Sequence, residues 1–572
     1  MSFRTQAAIA DLPGRGRRQR LVLAIVLLMI ACAACSRGDS NATAVSPLPA
    51  PQPPPTVTTL PDGSTLIVAS VTGERNQPGG EQALSMAGGA RGPVTLDPAL
   101  LRDAQSAFLA RQIFRGLVSL DLQLAVRPEL AERITIAPDG LTYRFELRPD
   151  LTFHDGAPLD ASAVIRSFER ATNQALATGA GLPAATYLDD IEGVAERLSG
   201  ESESISGMRE IDARTLEIRL ARPAANFLLK LTGSPALVVD VDSATGSDWW
   251  HTPNGSGPFR IAEYNVDQEL RLEPFDDYAT GRPFLDTVNV RFGSAALSPL
   301  NLYENGEIDL TELPGYAIDR ALSGTDYLGR DLRVTPELST TYFAFNPNLP
   351  PFDDPNLRAA LARLVDREQL IEVGLAGRAE EAQGLVPPGI LERSWPSDVP
   401  AYNPAAARDI YDESAGTEQP PQIFDPGGGM AVLLKEVTEQ ELGLDIDVIA
   451  PPFPEFSADL GIQDLPAFVL SWIADYPDPA SFLTTLFHSG SPDNYTGYAN
   501  PMVDALLDEA GVEADIDRRA ALYLDAQQII IDDGVLIPLY HGVSYMVVRP
   551  EVHGLDISAI GILALENVWI AS

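Results

Sequence analysis

Cysteine is almost missing from this 572-residue chain: the two present, Cys32 and Cys35, lie within its first 35 residues. The body that follows can form no internal disulfide, present no thiol nucleophile and build no thiolate metal site. Lysine is as scarce, appearing only as Lys230 and Lys435, so the 40 basic residues are almost all arginine, against 80 acidic ones and a formal net charge of −40. So acidic a body does not suit the phosphates of nucleic acid or docking by charge on anionic lipid. The five histidines, His154, His251, His488, His541 and His553, are dispersed, with no two at metal-ligand spacing on one helix. Also missing are a G-x-S-x-G elbow, an H-E-x-x-H pair and a G-x-x-x-x-G-K-[ST] loop, which removes the commonest hydrolase, metalloprotease and nucleotide-binding readings. No internal repeat or coiled-coil pattern is present.

What is there begins at the N-terminus. Arg4, Arg15, Arg17, Arg18 and Arg20 precede the apolar run Leu21 to Ala31. About eleven to fourteen apolar residues fit a signal peptide and fall short of the ~20 that span a bilayer. Export is therefore expected. Ala31-Cys32-Ala33-Ala34-Cys35-Ser36 resembles the lipobox of bacterial lipoproteins, with Cys35 the expected lipidation site and Cys32 the alternative. Residues 36–63 are then rich in Ala, Thr and Ser, with Pro49, Pro51, Pro53, Pro54 and Pro55, the composition of a semi-rigid spacer. The remaining ~510 residues exceed one hydrophobic core, so two or three domains are expected.

Along that body, Leu141 to Leu147 alternates apolar and polar residues after the turn Pro138-Asp139-Gly140, and Arg214 to Leu220, Glu269 to Glu273 and Thr287 to Phe292 repeat the pattern of half-buried strands. Helices are expected after the N-cap Asp354-Pro355, from Asp366 to Gly374, and from Asp517 to Ile531 with a stop at Asp533-Gly534. The fold class is α/β, a mixed α+β architecture. Paired carboxylates, Asp189-Asp190, Asp353-Asp354 and Asp532-Asp533, read as caps and solvated turns, and His154 as completing a turn. The stretch Phe468 to Pro479 differs in character: a buried-looking strand runs into an acidic, aromatic, proline-stiffened loop. There Asp475 could offer a carboxylate to a ligand cation between Trp472 and Tyr476. A helix N-cap at Asp478-Pro479, with the aromatics in the core, explains the same residues.

A series of segments resembles the extracellular solute-binding proteins of the dipeptide, oligopeptide and nickel class (family 5), which serve ATP-driven importers. It opens with Leu96-Asp97-Pro98, Ile113-Phe114-Arg115-Gly116-Leu117-Val118, Pro128 to Glu132 and Pro138 to Tyr143. Phe153-His154-Asp155-Gly156-Ala157-Pro158-Leu159 and Gly255-Ser256-Gly257-Pro258-Phe259 follow. Gly306 to Asp309, Phe345-Asn346, Asp366-Arg367-Glu368, Trp472 to Pro479 and Ile537 to Tyr540 complete the order.

The resemblance implies a two-lobed periplasmic-binding-protein type II fold with an extra subdomain on the first lobe. Residues 1–35 would be the lipoprotein signal, 36–63 the linker, 64–335 lobe I with the extra subdomain at about 122–221, 336–540 lobe II, and 541–572 a return to lobe I. The chain would cross after about Val334 and return near His541, two strands forming the hinge, with ligand enclosed between the lobes. In peptide-binding members the aspartate of W-x-x-D-Y pairs with the ligand's α-ammonium and its tryptophan lines the pocket; here these are Asp475 and Trp472. By motif location Tyr476, Phe114, Gly116, Val118, Gly257, Phe259, Phe345 and Asn346 are expected around the ligand. The implied partners are a small peptide-like ligand and a permease–ATPase complex, with the membrane reached through the lipid anchor, no nucleic acid, no metal or other cofactor, and a monomeric chain that is not an enzyme.

Between Gly416 and Val469 the second lobe is shorter than is usual in the family, with Pro420-Pro421 and Gly427-Gly428-Gly429 in place of regular structure, and no basic residue matches those with which oligopeptide members take the peptide carboxylate. A same-fold surface receptor without transport, and a secreted hydrolase, are the alternatives from other classes.

Overall fold

The computed structural model describes residues 53–571 other than 71–77, 178–180, 294–297, 415, 417–419 and 428. The expected signal, both cysteines and the spacer up to residue 52 lie outside the described residues.

Period-two alternation builds two large sheets. The first has six strands, antiparallel throughout, in the order Thr56–Thr59, Thr65–Val68, Ala131–Ile136, Thr142–Leu147, Thr215–Arg219, Met208–Asp212. Tyr143, Phe145 and Leu147 point to one face, where they meet Val164 and Phe168 of the helix Ala161–Ala171. Residues 56–63, expected to belong to the spacer, instead supply the first strand and turn of this sheet: Thr56 to Thr59 is β-branched at every position, which favours a strand over polyproline once a partner edge is at hand.

The second sheet runs through both lobes and is mixed. On the first-lobe side, Phe259–Asn265, Glu269–Pro274, Thr287–Arg291, Ala83–Ala87 and Leu310–Glu312 lie side by side. On the second-lobe side are Ala467–Ile473, Gln422–Phe424 and Asp447–Ile449. Between them, Leu332–Phe345 and Leu536–Val548 pair antiparallel and belong to both lobes. Their ladder breaks between Pro336 and Thr340, opposite Gly542. A Cβ on Gly542 would lie 2.4 Å from Ser339 Oγ and 2.6 Å from Glu337 Oε2, so glycine fits where the two crossing strands bend. In the break, Leu338 donates its N–H to Ala559 O of the returning C-terminal segment and accepts from Ala474 N of lobe II.

Lobe II is covered on both faces of its sheet. Tyr342 and Phe468 pack on one side against the helices Pro501–Val512 and Ile516–Asp532, while Phe343, Phe345 and Val469 pack on the other against Pro355–Ala362 and Gly429–Leu442. Burial on both faces explains why Ala467 to Leu470 reads as a continuous apolar run. The expected cap at Asp354 is present, accepting from Asn356 N; the helix expected from Asp517 begins one residue earlier, as Ile516–Asp532 capped by Asp515, and ends at Asp533 before Gly534 at φ 65°. The helix expected from Asp366 widens into a π-turn over Leu370–Gly374.

Two expectations are corrected. The stretch from Gly416 to Val469 does hold regular structure, a parallel strand–helix–strand unit of Gln422–Phe424, Gly429–Leu442 and Asp447–Ile449. Asp425 makes the turn by accepting from Gly427 N and Ala431 N, so the glycines open a helix rather than replace one. Asp189 and Asp190 are not caps but hold the buried Lys230 ammonium at 2.7 and 2.8 Å.

The loop after Ala467–Ile473 is fixed by a buried fork: Arg519 gives Nη1 and Nη2 to the two Asp478 oxygens, each at 2.7 Å, with the side chains 7% and 1% exposed. Removing one partner leaves a buried charge unpaired, so Asp478→Ala should cost about 3–5 kcal/mol of stability. A fall in the denaturant midpoint of that size at unchanged slope is the expected result; a loss under ~1 kcal/mol would show that the pair does not secure the loop.

Candidate functional site

The site is built on one helix of lobe I and one strand end of lobe II. The helix Ala104–Ile113 is capped by Asp103, which accepts from Ser106 N. Leu109, Ala110 and Ile113 go into the lobe I core, which leaves Ala104, Phe108 and Arg111, spaced by four and three, on the opposite side facing the interlobe space. Opposite, Ala467–Ile473 stays paired with Leu332–Phe345 through Ile473, and Ser471 to Asp475, the strand's end and the start of the loop after it, form the facing wall.

Between them lies a cavity of about 570 Å³, within the ~300–1,000 Å³ of sites for small organic ligands. Much of its wall is apolar: Leu101, Phe108, Phe453, Leu460, Leu470 and Trp472. The lobes meet around it. Arg102 of lobe I lies 3.3 Å from Asp493 of lobe II, and Thr186 Oγ1 donates to the same carboxylate at 2.8 Å. Farther along the seam Arg222 pairs with Asp508 at 2.9 Å and Ala225 N donates to Gly511 O. The structure is thus the closed form.

Asp475 is half-buried in this wall. Its backbone N–H donates to Ser481 Oγ at 2.8 Å, and Trp472 Nε1 donates to Ser481 O at 2.9 Å, so one residue of the Asp478-capped turn holds both the Asp475 backbone and the Trp472 ring. Tyr187, from the short helix Ala184–Tyr187, gives its hydroxyl to the Asp475 carboxylate. Burial pushes the carboxyl up to about 7; the Tyr187 hydrogen bond and the Arg111 charge act against that rise, and Asp493 adds to it. The arrangement is a poorly solvated carboxylate facing an enclosed space, which a ligand cation would satisfy.

Of the residues expected around a ligand, Asp475 and Trp472 line the cavity. Tyr476 is fully buried behind the wall, edge-on to Tyr187 at 6.3 Å. Phe114 lies in the lobe I core against Trp249, and Phe259 in the same core. Gly116 backs onto Ala236 O, and Val118 belongs to the core of the six-stranded unit. Phe345 packs on Phe352 away from the cavity, and Asn346 Nδ2 donates to Gln463 O.

The glycine motif acts as a brace. The N–H groups of Ser256 and Gly257 both donate to Ile113 O at the end of the cavity helix, and a Cβ on Gly257 would come within 2.6 Å of that backbone. His154 holds the brace: its Nδ1 accepts from Gly255 N at 3.2 Å, which leaves Nε2–H to donate to Gly257 O at 3.0 Å. Burial lowers its pKa to about 4, so the ring stays neutral and keeps that tautomer. Expected to complete its own turn, His154 instead ties that turn through its ring to the distant Gly255 to Gly257 segment. Asp97 of Leu96-Asp97-Pro98 likewise serves the framework, taking both Arg170 guanidinium arms at 2.8 and 2.5 Å.

Sequence reasoning missed Arg102, Arg111, Tyr187 and Asp493. Arg111 carried a signal: it stands one turn after Phe108 on the polar side of a helix whose other side is core. Tyr187 and Asp493 come from distant segments and had none. Among the described residues no group of three or more His, Cys, Asp and Glu could hold a metal ion, and no helix is long and apolar enough to cross a membrane.

Comparison with known proteins agrees with this geometry. The model of the bacterial extracellular solute-binding proteins, family 5 (middle), matches residues 125–494. The probable deoxycholate-binding periplasmic protein YgiS of Escherichia coli is 29% identical over 488 residues, 81% of this chain and 89% of that protein. The periplasmic oligopeptide-binding protein OppA of E. coli is 25% identical over 481 residues, covering 80% and 87%. The structure of Haemophilus influenzae OppA in complex with the peptide RPPGFSPFR superposes with a TM-score of 0.77 at 21% identity, over 87% of this chain and all of that one. The fold is that of the two-lobed type II binding proteins, and the chain belongs to the family 5 extracellular solute-binding proteins.

Proposed function

We propose that this protein is the substrate-binding lipoprotein of an ATP-driven importer, which captures a peptide or peptide-like solute between its lobes and delivers it to a membrane permease. The observation that carries the reading is Asp475: a poorly solvated carboxylate, oriented from behind by Ser481, facing a closed cavity beside Trp472. A peptide's α-ammonium is the cation such a group accepts. Family membership supports capture and release as the role, and the OppA relatives support peptide as the solute class. Export rests on residues 1–35, and anchoring on Cys35 or Cys32. Delivery to a permease and its ATPase is the partnership in which a closed, ligand-bearing form has a use: ligand that bridges both lobes selects that form over the open one.

A second reading has a specific observation behind it. The apolar walls, and the kinship with a probable deoxycholate-binding protein, favour an amphipathic acid with no ammonium group. The two readings differ in what they ask of Asp475.

If an ammonium pairs there, Asp475→Asn should weaken a free-amine peptide by about 3–5 kcal/mol, on the order of a hundredfold or more, and leave the weaker N-acetylated peptide nearly unchanged. Equal losses for both, by calorimetry, would exclude the pairing. The same carboxyl gives a pH signature. Burial holds its pKa at about 7, and a paired ammonium lowers it, so binding below that pH releases a proton. Affinity for a free-amine peptide should drop about tenfold per pH unit from 7 toward 5, and Asp475→Asn should abolish that slope. A flat profile in the wild type would contradict it.

A further inference from the structure

Charge is divided unevenly across the cavity. The wall from lobe II presents Asp475 and Asp493 and contains no lysine, arginine or histidine among its described residues. The wall from lobe I presents three arginines, Arg102, Arg111 and Arg115. Two of these already face carboxylates of the protein. Arg102 lies against Asp493. Arg115 lies 3.0 Å from Glu566 and 3.9 Å from Glu129, and gives Nε–H to the Tyr278 hydroxyl at 2.8 Å.

Arg111 differs. It makes no ion pair within 4.0 Å among the described residues, and its guanidinium, with five N–H donors, makes one hydrogen bond, from Nη2 to Thr232 O at 3.3 Å. It is half-buried, one face toward the cavity, with its charge felt at Asp475 across the space. A poorly solvated guanidinium with unspent donors is suited to a carboxylate, which it can grip with two parallel bonds. On the opposite wall a ligand carboxylate would meet two carboxylates and no cation.

We infer that Arg111 of lobe I receives the carboxylate of the ligand while Asp475 of lobe II receives its ammonium, so that the ligand is a short zwitterion lying across the cleft. This rests on the peptide reading above and adds to it the position of the acidic end. Both charged ends then lie within one enclosed cavity, which selects di- and tripeptide-sized molecules. Because each end is held by a different lobe, the ligand's own dipole ties the lobes together, and blocking either end weakens both binding and closure.

The test uses the full exported chain, freed of bound ligand by unfolding and refolding, and a defined pool of di- and tripeptides. Half the pool is converted to C-terminal amides, and retained species are read by native mass spectrometry and titrated by calorimetry. Wild type should bind the free acids roughly 10- to 100-fold more tightly than the amides. Arg111→Gln should lose that preference, binding acids and amides alike at the wild type's amide level, while Arg111→Lys should restore part of it. A preserved thermal midpoint in Arg111→Gln shows that the fold is intact. Wild type that binds acids and amides equally, or Arg111→Gln that weakens both equally, overturns the inference and leaves the peptide reading standing. Wild type that retains neither pool overturns both.

Discussion

The constraint on which the rest depends is the cost of holding one carboxylate away from water. Asp475 sits in a wall that two lobes close over, where the charged form is disfavoured unless something positive arrives. Within the protein the Tyr187 hydroxyl and the Arg111 charge offset burial only in part, and the carboxyl's pKa stays at about 7. On the proposed reading, a ligand cation gains what the protein leaves unsatisfied, and gains it when the lobes are shut. Capture and closure thereby become one event.

Much of the surrounding structure keeps this wall rigid so that the motion is confined to the crossing strands. Behind Asp475, Ser481 orients the backbone and the tryptophan, and the Asp478–Arg519 fork fixes the turn on which Ser481 sits. Behind the facing helix, a neutral His154 holds the Gly255 to Gly257 brace, which in turn holds Ile113 O. Between these blocks the ladder of Leu332–Phe345 and Leu536–Val548 is interrupted opposite Gly542. Two braced walls joined where the shared ladder breaks is the arrangement that the proposed hinge closure requires.

The fold was largely legible because its signals are local. Alternation marked Thr142–Leu147, Thr215–Arg219, Glu269–Pro274 and Thr287–Arg291 within a residue or two, and the expected crossings near Val334 and His541 fall inside the two long shared strands. Gly427 and Gly429 misled because a strand-to-helix turn and a loop use the same residues; the Asp425 contacts tell them apart. The site was legible at Asp475 and Trp472, where a strand end and its loop lie together in sequence. It was not legible at Phe114, Val118 or Phe345, because nearness to a motif does not tell a side chain that faces the core from one that faces the ligand space, and all three face the core. Helical geometry then exposes the neighbours Phe108 and Arg111 in place of Phe114. Tyr187 and Asp493 reach the cavity only through tertiary folding.

The central claim is that the protein's natural ligand carries an ammonium group answered by Asp475. Native mass spectrometry of wild type and Asp475→Asn, each purified from the host under non-denaturing conditions, tests it most directly. The account predicts that wild type retains a small molecule with a free amine, identified as a short peptide by fragmentation, and that the variant comes away empty. Retention by both proteins of the same acid lacking any cationic nitrogen would contradict it.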